Sequence, residues 1–221
     1  MENTPIESKK QARRPTTTSY AVLAMLALRD HSTYELTKQM QLSQHYLWPR
    51  AESNMYAEPK RLVTAGLAAS REEWTGGRRR TVYSITETGR AELARWLSAP
   101  SSRPRYESEA LLKVFFGENG SVDDMRASIR ALREEATIAL EHWNGIADRY
   151  DSGEGDYPHR FALSALVARL LGEQQAATVR WAEWAERVVT AWGRPSPTDV
   201  EWGVDVIRST GEPFDPDPLL S

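Results

Sequence analysis

Between Met125 and Tyr150 the apolar residues Met125, Ile129, Leu132, Ala136, Leu140, Trp143, Ala147 and Tyr150 recur three or four positions apart, and Leu163, Leu166, Leu170, Ala177, Trp181, Trp184, Val188 and Trp192 repeat the pattern. That period is helical, so each stretch predicts a long helix with one continuous apolar seam, the first of about seven turns. Only Asp151 to Pro158, DSGEGDYP, separates them, and helices joined by so short a turn form an antiparallel hairpin. One hairpin cannot cover both seams by itself. A second copy of the chain is the natural partner, through an interface of more than about 2,000 Å² in total.

Upstream of these helices the pattern changes. Residues 1–16 are polar, carry Lys9, Lys10, Arg13 and Arg14, and read as a flexible basic arm. Thr17 to Leu28 is almost wholly apolar, the mark of a helix buried on most sides. Ser32 and Glu35 fit a capping box that starts a second helix running to about Leu42. Trp48-Pro49 breaks the chain, and a third helix is expected from Glu52 or Ser53, with Met55, Pro59, Leu62 and Gly66 on one narrow stripe. Pro59 inside it should bend the helix or shift its effective start. Leu67 to Trp74 and Thr81 to Ile85 read as two strands around Thr75-Gly76-Gly77, with Arg78, Arg79 and Arg80 at or beside the tip. Thr86 can cap a fourth helix that reaches about Ser98. The cluster Ala99-Pro100-Ser101-Ser102-Arg103-Pro104 is then the best domain boundary in the chain.

The expected architecture is mainly α. A winged helix-turn-helix over 17–99, helical with a small two-stranded antiparallel wing, is followed by an all-α antiparallel helical dimerisation domain over 106–192. A short helix near Ser108 to Phe116 opens the second domain, and 193–221, with prolines at 195, 197, 213, 216 and 218, reads as a tail without regular structure.

Charge follows the same division. Residues 1–105 hold 17 Lys and Arg against 10 Asp and Glu, whereas the remainder holds 11 against 21. A basic first half suits a polyanion, and an acidic second half does not. The third helix would turn Ser53, Asn54, Lys60 and Arg61 outward, the residue types that read adenine and guanine edges in the major groove. Arg78, Arg79 and Arg80 can reach phosphates or a narrow minor groove. A solvated basic face would carry the same residues, so the order of elements together with the wing arginines is what points to double-stranded DNA.

Other classes find little support. Cysteine is absent, which removes disulfides, thiol nucleophiles and Cys-ligated metals. No nucleophile elbow, phosphate loop, zinc-protease motif or dinucleotide fingerprint is present. His31, His45, His142 and His159 form no pair at helical spacing. Neither a catalytic site, nor a cofactor, nor a metal is expected. The longest apolar run, Tyr20 to Leu28, is nine residues, against about 20 for a membrane-spanning helix. With no secretory signal readable at the start, the expected location is the cytoplasm.

The segments Tyr34-Glu35-Leu36, Trp48-Pro49, Met55-Tyr56, Lys60-Arg61-Leu62, Ala65-Gly66-Leu67, Gly77 to Tyr83, Thr86 to Arg90 and Trp96-Leu97 together resemble the winged-helix domain of PadR-type transcriptional regulators. Phe115-Phe116-Gly117 and the two long helices are similar to the C-terminal domain of the virulence-activator-like subgroup. The resemblance spans about residues 17–192 and implies a homodimeric, sequence-specific DNA-binding regulator, usually a repressor, relieved by a small aromatic or hydrophobic effector and acting at a pseudo-palindromic operator. It also implies that the Tyr56 hydroxyl meets DNA, whereas the residues alone equally allow a half-buried core tyrosine. Glu58-Pro59 departs from the family pattern, which usually has leucine where Pro59 stands. Trp96, Trp143, Trp181 and Trp184 are the candidate effector-contacting residues, although tryptophans at helical spacing also serve simple packing. The competing reading is a helical interaction protein whose winged domain docks a protein partner.

Overall fold

A computed structural model describes residues 14–43, 47–48, 56–193 and 200–211. The chain divides into two compact units, Met1–Arg103 and Pro104–Ser221.

The first unit is built around α1 (Thr17–Leu28). Thr16 caps it reciprocally: its hydroxyl accepts from the Ser19 amide, and the Ser19 hydroxyl accepts from the Thr16 amide. Six of its residues from Ser19 to Leu26 are buried, Val22 and Leu23 completely. They pack with Leu36, Met40, Leu62, Tyr83 and Leu93 from the surrounding elements. The expected Ser32–Glu35 box is present, with the Ser32 amide 2.7 Å from Glu35 Oε2, and opens α2 (Thr33–Ser43). Immediately before it, His31–Ser32 forms a short strand, β1.

After α3 (Glu58–Thr64), Gly66 adopts φ 72°, and the amides of Gly66 and Leu67 close back onto Val63 and Leu62. The helix therefore ends at the stop expected from the sequence. Strands β2 (Ala68–Thr75) and β3 (Arg78–Ile85) pair antiparallel around Gly76 and Gly77, both at positive φ (57° and 76°), which suits a two-residue hairpin turn. Because β1 pairs with β3, the sheet has three strands in the order β1-β3-β2 instead of the two expected. Two residues are too few to show a strand period.

Thr86 caps α4 (Glu87–Leu97), accepting from the Gly89 amide and donating to the Gly66 carbonyl. The approach is close: a Cβ at Gly89 would stand 2.0 Å from the Leu67 carbonyl oxygen. Gly89→Ala should therefore push α4 off the sheet at a cost on the order of 3 kcal/mol, visible as a lower thermal midpoint. An unchanged midpoint would show that α4 can slide without penalty.

In the second unit, α5 (Glu109–Phe115) is capped by Ser108, and α6 (Val122–Asp151) by a Ser121–Asp124 box. Helix α7 (Phe161–Trp192) returns antiparallel and stops at Gly193, φ 63°. Tyr150 stacks on Phe161 across the intervening turn, 4.0 Å between centroids. The core lies at one end of the hairpin, where Met125 and Ile129 meet Ala182, Trp184, Ala185, Val188 and Val189. The first half of the α7 seam is uncovered in the single chain, with Leu163, Leu166 and Leu170 58%, 72% and 62% exposed.

The tail is not wholly irregular. Val200–Arg208 forms a helix, α8, whose Trp202 stacks 6.3 Å from Trp184 and meets Trp192 edge-on at 5.3 Å. The prolines obscured it, yet the stretch from Thr198 to Glu212 has none. Trp202 and Val206, four residues apart, give it an apolar face. Among the described residues, no helix is long and apolar enough to cross a membrane.

Candidate nucleic-acid interface

Helix α3 is held from below by a buried acidic side chain. Glu58 is 2% exposed and accepts from the Ser19 hydroxyl of α1 and from Arg61 Nη1 at 2.9 Å. Pro59 occupies the first turn, where no helical partner is needed for the amide it lacks, so the shifted start is what the described helix shows. With Glu58, Pro59 and Leu62 turned inward, Tyr56, Lys60, Arg61 and Thr64 face outward. Tyr56 is 66% exposed, which disfavours the half-buried core role. Ser53 and Asn54 lie outside the described residues. Arg61 is exposed but tethered to Glu58, whereas Lys60 projects from the neighbouring position.

Helix α3 packs against β2, the first strand of the wing. Its arginines are less alike than the sequence run suggests. They lie on β3 beyond the glycine turn, with Arg78 opposite Thr75, Arg79 opposite Trp74 and Arg80 opposite Glu73. Arg79 Nε bonds Glu72 at 2.9 Å, while Arg80 bonds Glu73 at 3.1 Å and lies 3.6 Å from Glu35 of α2. The Arg79 guanidinium holds the Glu72 carboxyl below its ordinary range, and Arg80 does the same for Glu73. Arg78, nearest the turn, is exposed. Two aromatic residues that carry no sequence signal of a role also stand out from this unit, Trp74 on the wing (74% exposed) and Tyr34 at the start of α2 (73%). Strand alternation places Trp74 on the same side as Glu72, but only the register sets it opposite Arg79.

His31 anchors the far edge of the sheet. It is fully buried, with Nδ1 2.8 Å from the Arg29 carbonyl, and burial lowers the imidazole pKa below its ordinary value. The unfolded chain therefore takes up a proton at a higher pH than the native one, so this contribution is intact above about pH 6.5 and lost as pH falls through the lower native value. The urea midpoint should drop from pH 7.5 to pH 5.5, and His31→Gln should flatten that drop. An equal drop in the variant would assign the acid sensitivity elsewhere.

The four candidate effector tryptophans are distributed over both units. In the first, Trp96 stacks on Tyr20 at 4.8 Å and 8°. In the second, Trp181 and Trp184 belong to the core around Ile129. Trp143 lies fourteen positions further along α6 than Ile129, roughly 20 Å along the axis at helical rise. Trp48, half-exposed at 38%, donates its indole N–H to the Thr18 hydroxyl at 3.3 Å, a structural contact.

Comparison with known proteins places these elements. Residues 22–95 match the family model described as the transcriptional regulator PadR-like family, and residues 107–190 match that described as the virulence activator alpha C-terminal domain. A Mycobacterium tuberculosis protein described as probable transcriptional regulator Rv1176c is 28% identical over 141 residues, covering 59% of this chain and 75% of its own. The crystal structure of Bacillus subtilis PadR in complex with operator DNA aligns with a TM-score of 0.65 at 22% identity, over 79% of this chain and 99% of that one. The same Bacillus protein in complex with p-coumaric acid aligns at 0.61 and 21%, over the same shares.

Proposed function

The chain belongs to the PadR-like family of DNA-binding transcriptional regulators, not to an enzyme family, and from that premise we propose that it acts as a homodimeric repressor of a pseudo-palindromic operator. The observation that carries the DNA contact is the exposure of Lys60 and Arg61 on α3 and of Tyr56 in the turn just before it. In this reading Ser53 and Asn54 are further DNA contacts, Lys60 reads a base edge, and Arg78 contacts phosphate. Arg79 and Arg80 reach DNA by exchanging their wing glutamates for phosphates, and Trp74 adds an apolar contact beside them. Arg61 has the additional task of neutralising buried Glu58.

The uncovered seam of α7 supplies the subunit contact, and Leu112, Phe115 and Phe116, all more than half exposed near the other end of the hairpin, are a second apolar patch of the C-terminal unit. Paired subunits would present two recognition helices to half-sites about 34 Å apart or a multiple of that. Relief of repression falls to a small planar aromatic compound, as p-coumaric acid binds the Bacillus relative, with Trp96 or the Trp181 and Trp184 pair as the reporting indoles. Such a compound shifts the equilibrium only if it binds DNA-free and DNA-bound arrangements with different affinity.

Selection of bound fragments from genomic DNA tests the reading as a whole. The recovered site then allows a sharper measurement by fluorescence anisotropy. Lys60→Ala should weaken it by about 1–3 kcal/mol and relax base preference at one position per half-site. No enriched fragment, together with tight binding of a protein partner that persists at high salt, would overturn the assignment, since DNA contacts lose affinity steeply as salt rises.

A further inference from the structure

Arg126, Arg130 and Arg133 stand at positions i, i+4 and i+7 of α6, so one stripe of the helix carries all three. A single α7 carboxylate lies among them. Glu186 Oε1 is 3.7 Å from Arg126 Nη2 and 3.4 Å from Arg130 Nε, and its Oε2 is 3.7 Å from Arg133 Nη1. Charge-assisted N–H···O bonds close to about 2.7–2.9 Å, and arginine favours a two-pronged grip on a carboxylate. None of the three makes such a grip on Glu186. Arg126 Nε is moreover buried with no acceptor among the described residues, a donor that folding has removed from water without replacing its bond.

Arg126, Arg133 and Glu186 border an open groove of about 540 Å³ that Arg187 and Glu183 also line, a volume within the roughly 300–1,000 Å³ of small-molecule sites. Its charge opposes that of its surroundings. The C-terminal half of the chain is strongly acidic, yet three arginines line the groove against two carboxylates, Glu183 and Glu186, while outside the lining Arg130 lies beside Glu186 and Asp123, 86% exposed, is 3.4 Å from Arg126. One positive charge is left in excess.

We propose that this groove binds a small oxyanion, the carboxylate or phosphate group of a metabolite, through the guanidiniums of Arg126 and Arg133. The Arg126 Nε–H is a donor that Glu186 leaves unsatisfied, on a side chain that lines the groove. Glu186 keeps the arginines gathered when the groove is empty and competes with the ligand for them when it is not. The site lies wholly within the C-terminal unit and its occupancy needs no DNA, so it stands or falls independently of the operator-binding reading.

The test uses the full chain without DNA, with inorganic phosphate and succinate as probes and sodium chloride at matched ionic strength as the control. Calorimetric titration and thermal shift should both show saturable binding of at least one probe, and which one binds identifies phosphate or carboxylate as the recognised group. Arg126→Gln and Arg133→Gln should each weaken it about tenfold, as expected on removing one charge-assisted bond. Glu186→Gln should do the opposite and tighten it several-fold by removing the internal competitor, a gain that damage to the fold would not produce. It also decides the matter should either arginine variant fail to fold. Shifts no larger than those of chloride, or no tightening in Glu186→Gln, would overturn the proposal. So would arginine variants that turn monomeric while the parent protein binds neither probe, because the cluster would then serve subunit contact.

Discussion

With Leu166 and Leu170 both replaced by glutamate, the protein should scatter light with the mass of a single chain at micromolar concentration, while the parent protein scatters as a dimer. Both leucines are more than 60% exposed on α7, in the half of its seam that no element among the described residues covers. Glutamates facing each other across a symmetric interface add like-charge repulsion to the missing apolar burial. Because the substitutions lie on surface already open in the single chain, the helical content of the variant should match that of the parent. DNA affinity should fall by about two to four orders of magnitude, since a monomer engages one half-site and forgoes the effective concentration that linkage provides. A variant that remains dimeric would move the subunit interface off this face. Monomers that retained full affinity would show that one winged domain is sufficient for binding.

The wing should produce the second large effect, and its internal ion pairs give that effect a distinctive form. Arg78→Ala, Arg79→Ala and Arg80→Ala combined should weaken binding to every sequence and flatten the salt dependence, by up to about 0.9 log units of slope for each phosphate that is no longer neutralised. Arg79 and Arg80 are held by Glu72 and Glu73, so Arg78 alone should account for more than a third of the effect. Conversely, Glu72→Gln with Glu73→Gln should strengthen binding to unrelated DNA, since the two guanidiniums would no longer be shared. A triple variant with parental affinity and slope would remove the wing from the interface, and weaker binding by the glutamine pair would mean that the glutamates orient the arginines instead of competing for them.

Both predictions rest on features of unequal visibility in the sequence. Signals contained within a few residues read correctly: the span of α1, the Ser32–Glu35 box, the stop at Gly66, the glycine turn and the Thr86 cap all depend on neighbours at most five positions apart. Partners far apart in the chain were not legible. Glu58 gave no sign of its role, because the hydroxyl that donates to it belongs to Ser19, 39 positions earlier. Arg78, Arg79 and Arg80 looked equivalent until strand register gave two of them carboxylates. The α7 seam was visible as a period, but part of what covers its second half, Trp202 and Val206, lies on a helix that the surrounding prolines obscured. The positions of Ser53 and Asn54 fall outside the described residues.

Helix α8 lies beyond residue 190, where the match to the virulence activator alpha C-terminal domain ends, yet its Trp202 rests on Trp184 and Trp192. The end of the chain is therefore not an inert appendage that can be trimmed to the family consensus for convenience. Proteolysis, a frameshift or a truncating edit anywhere between Gly193 and Val200 would leave the bundle folded but adhesive, its indoles bared to whatever apolar surface is nearby. Selection on α8 would then act through solubility and removal by aggregation as well as through any binding event.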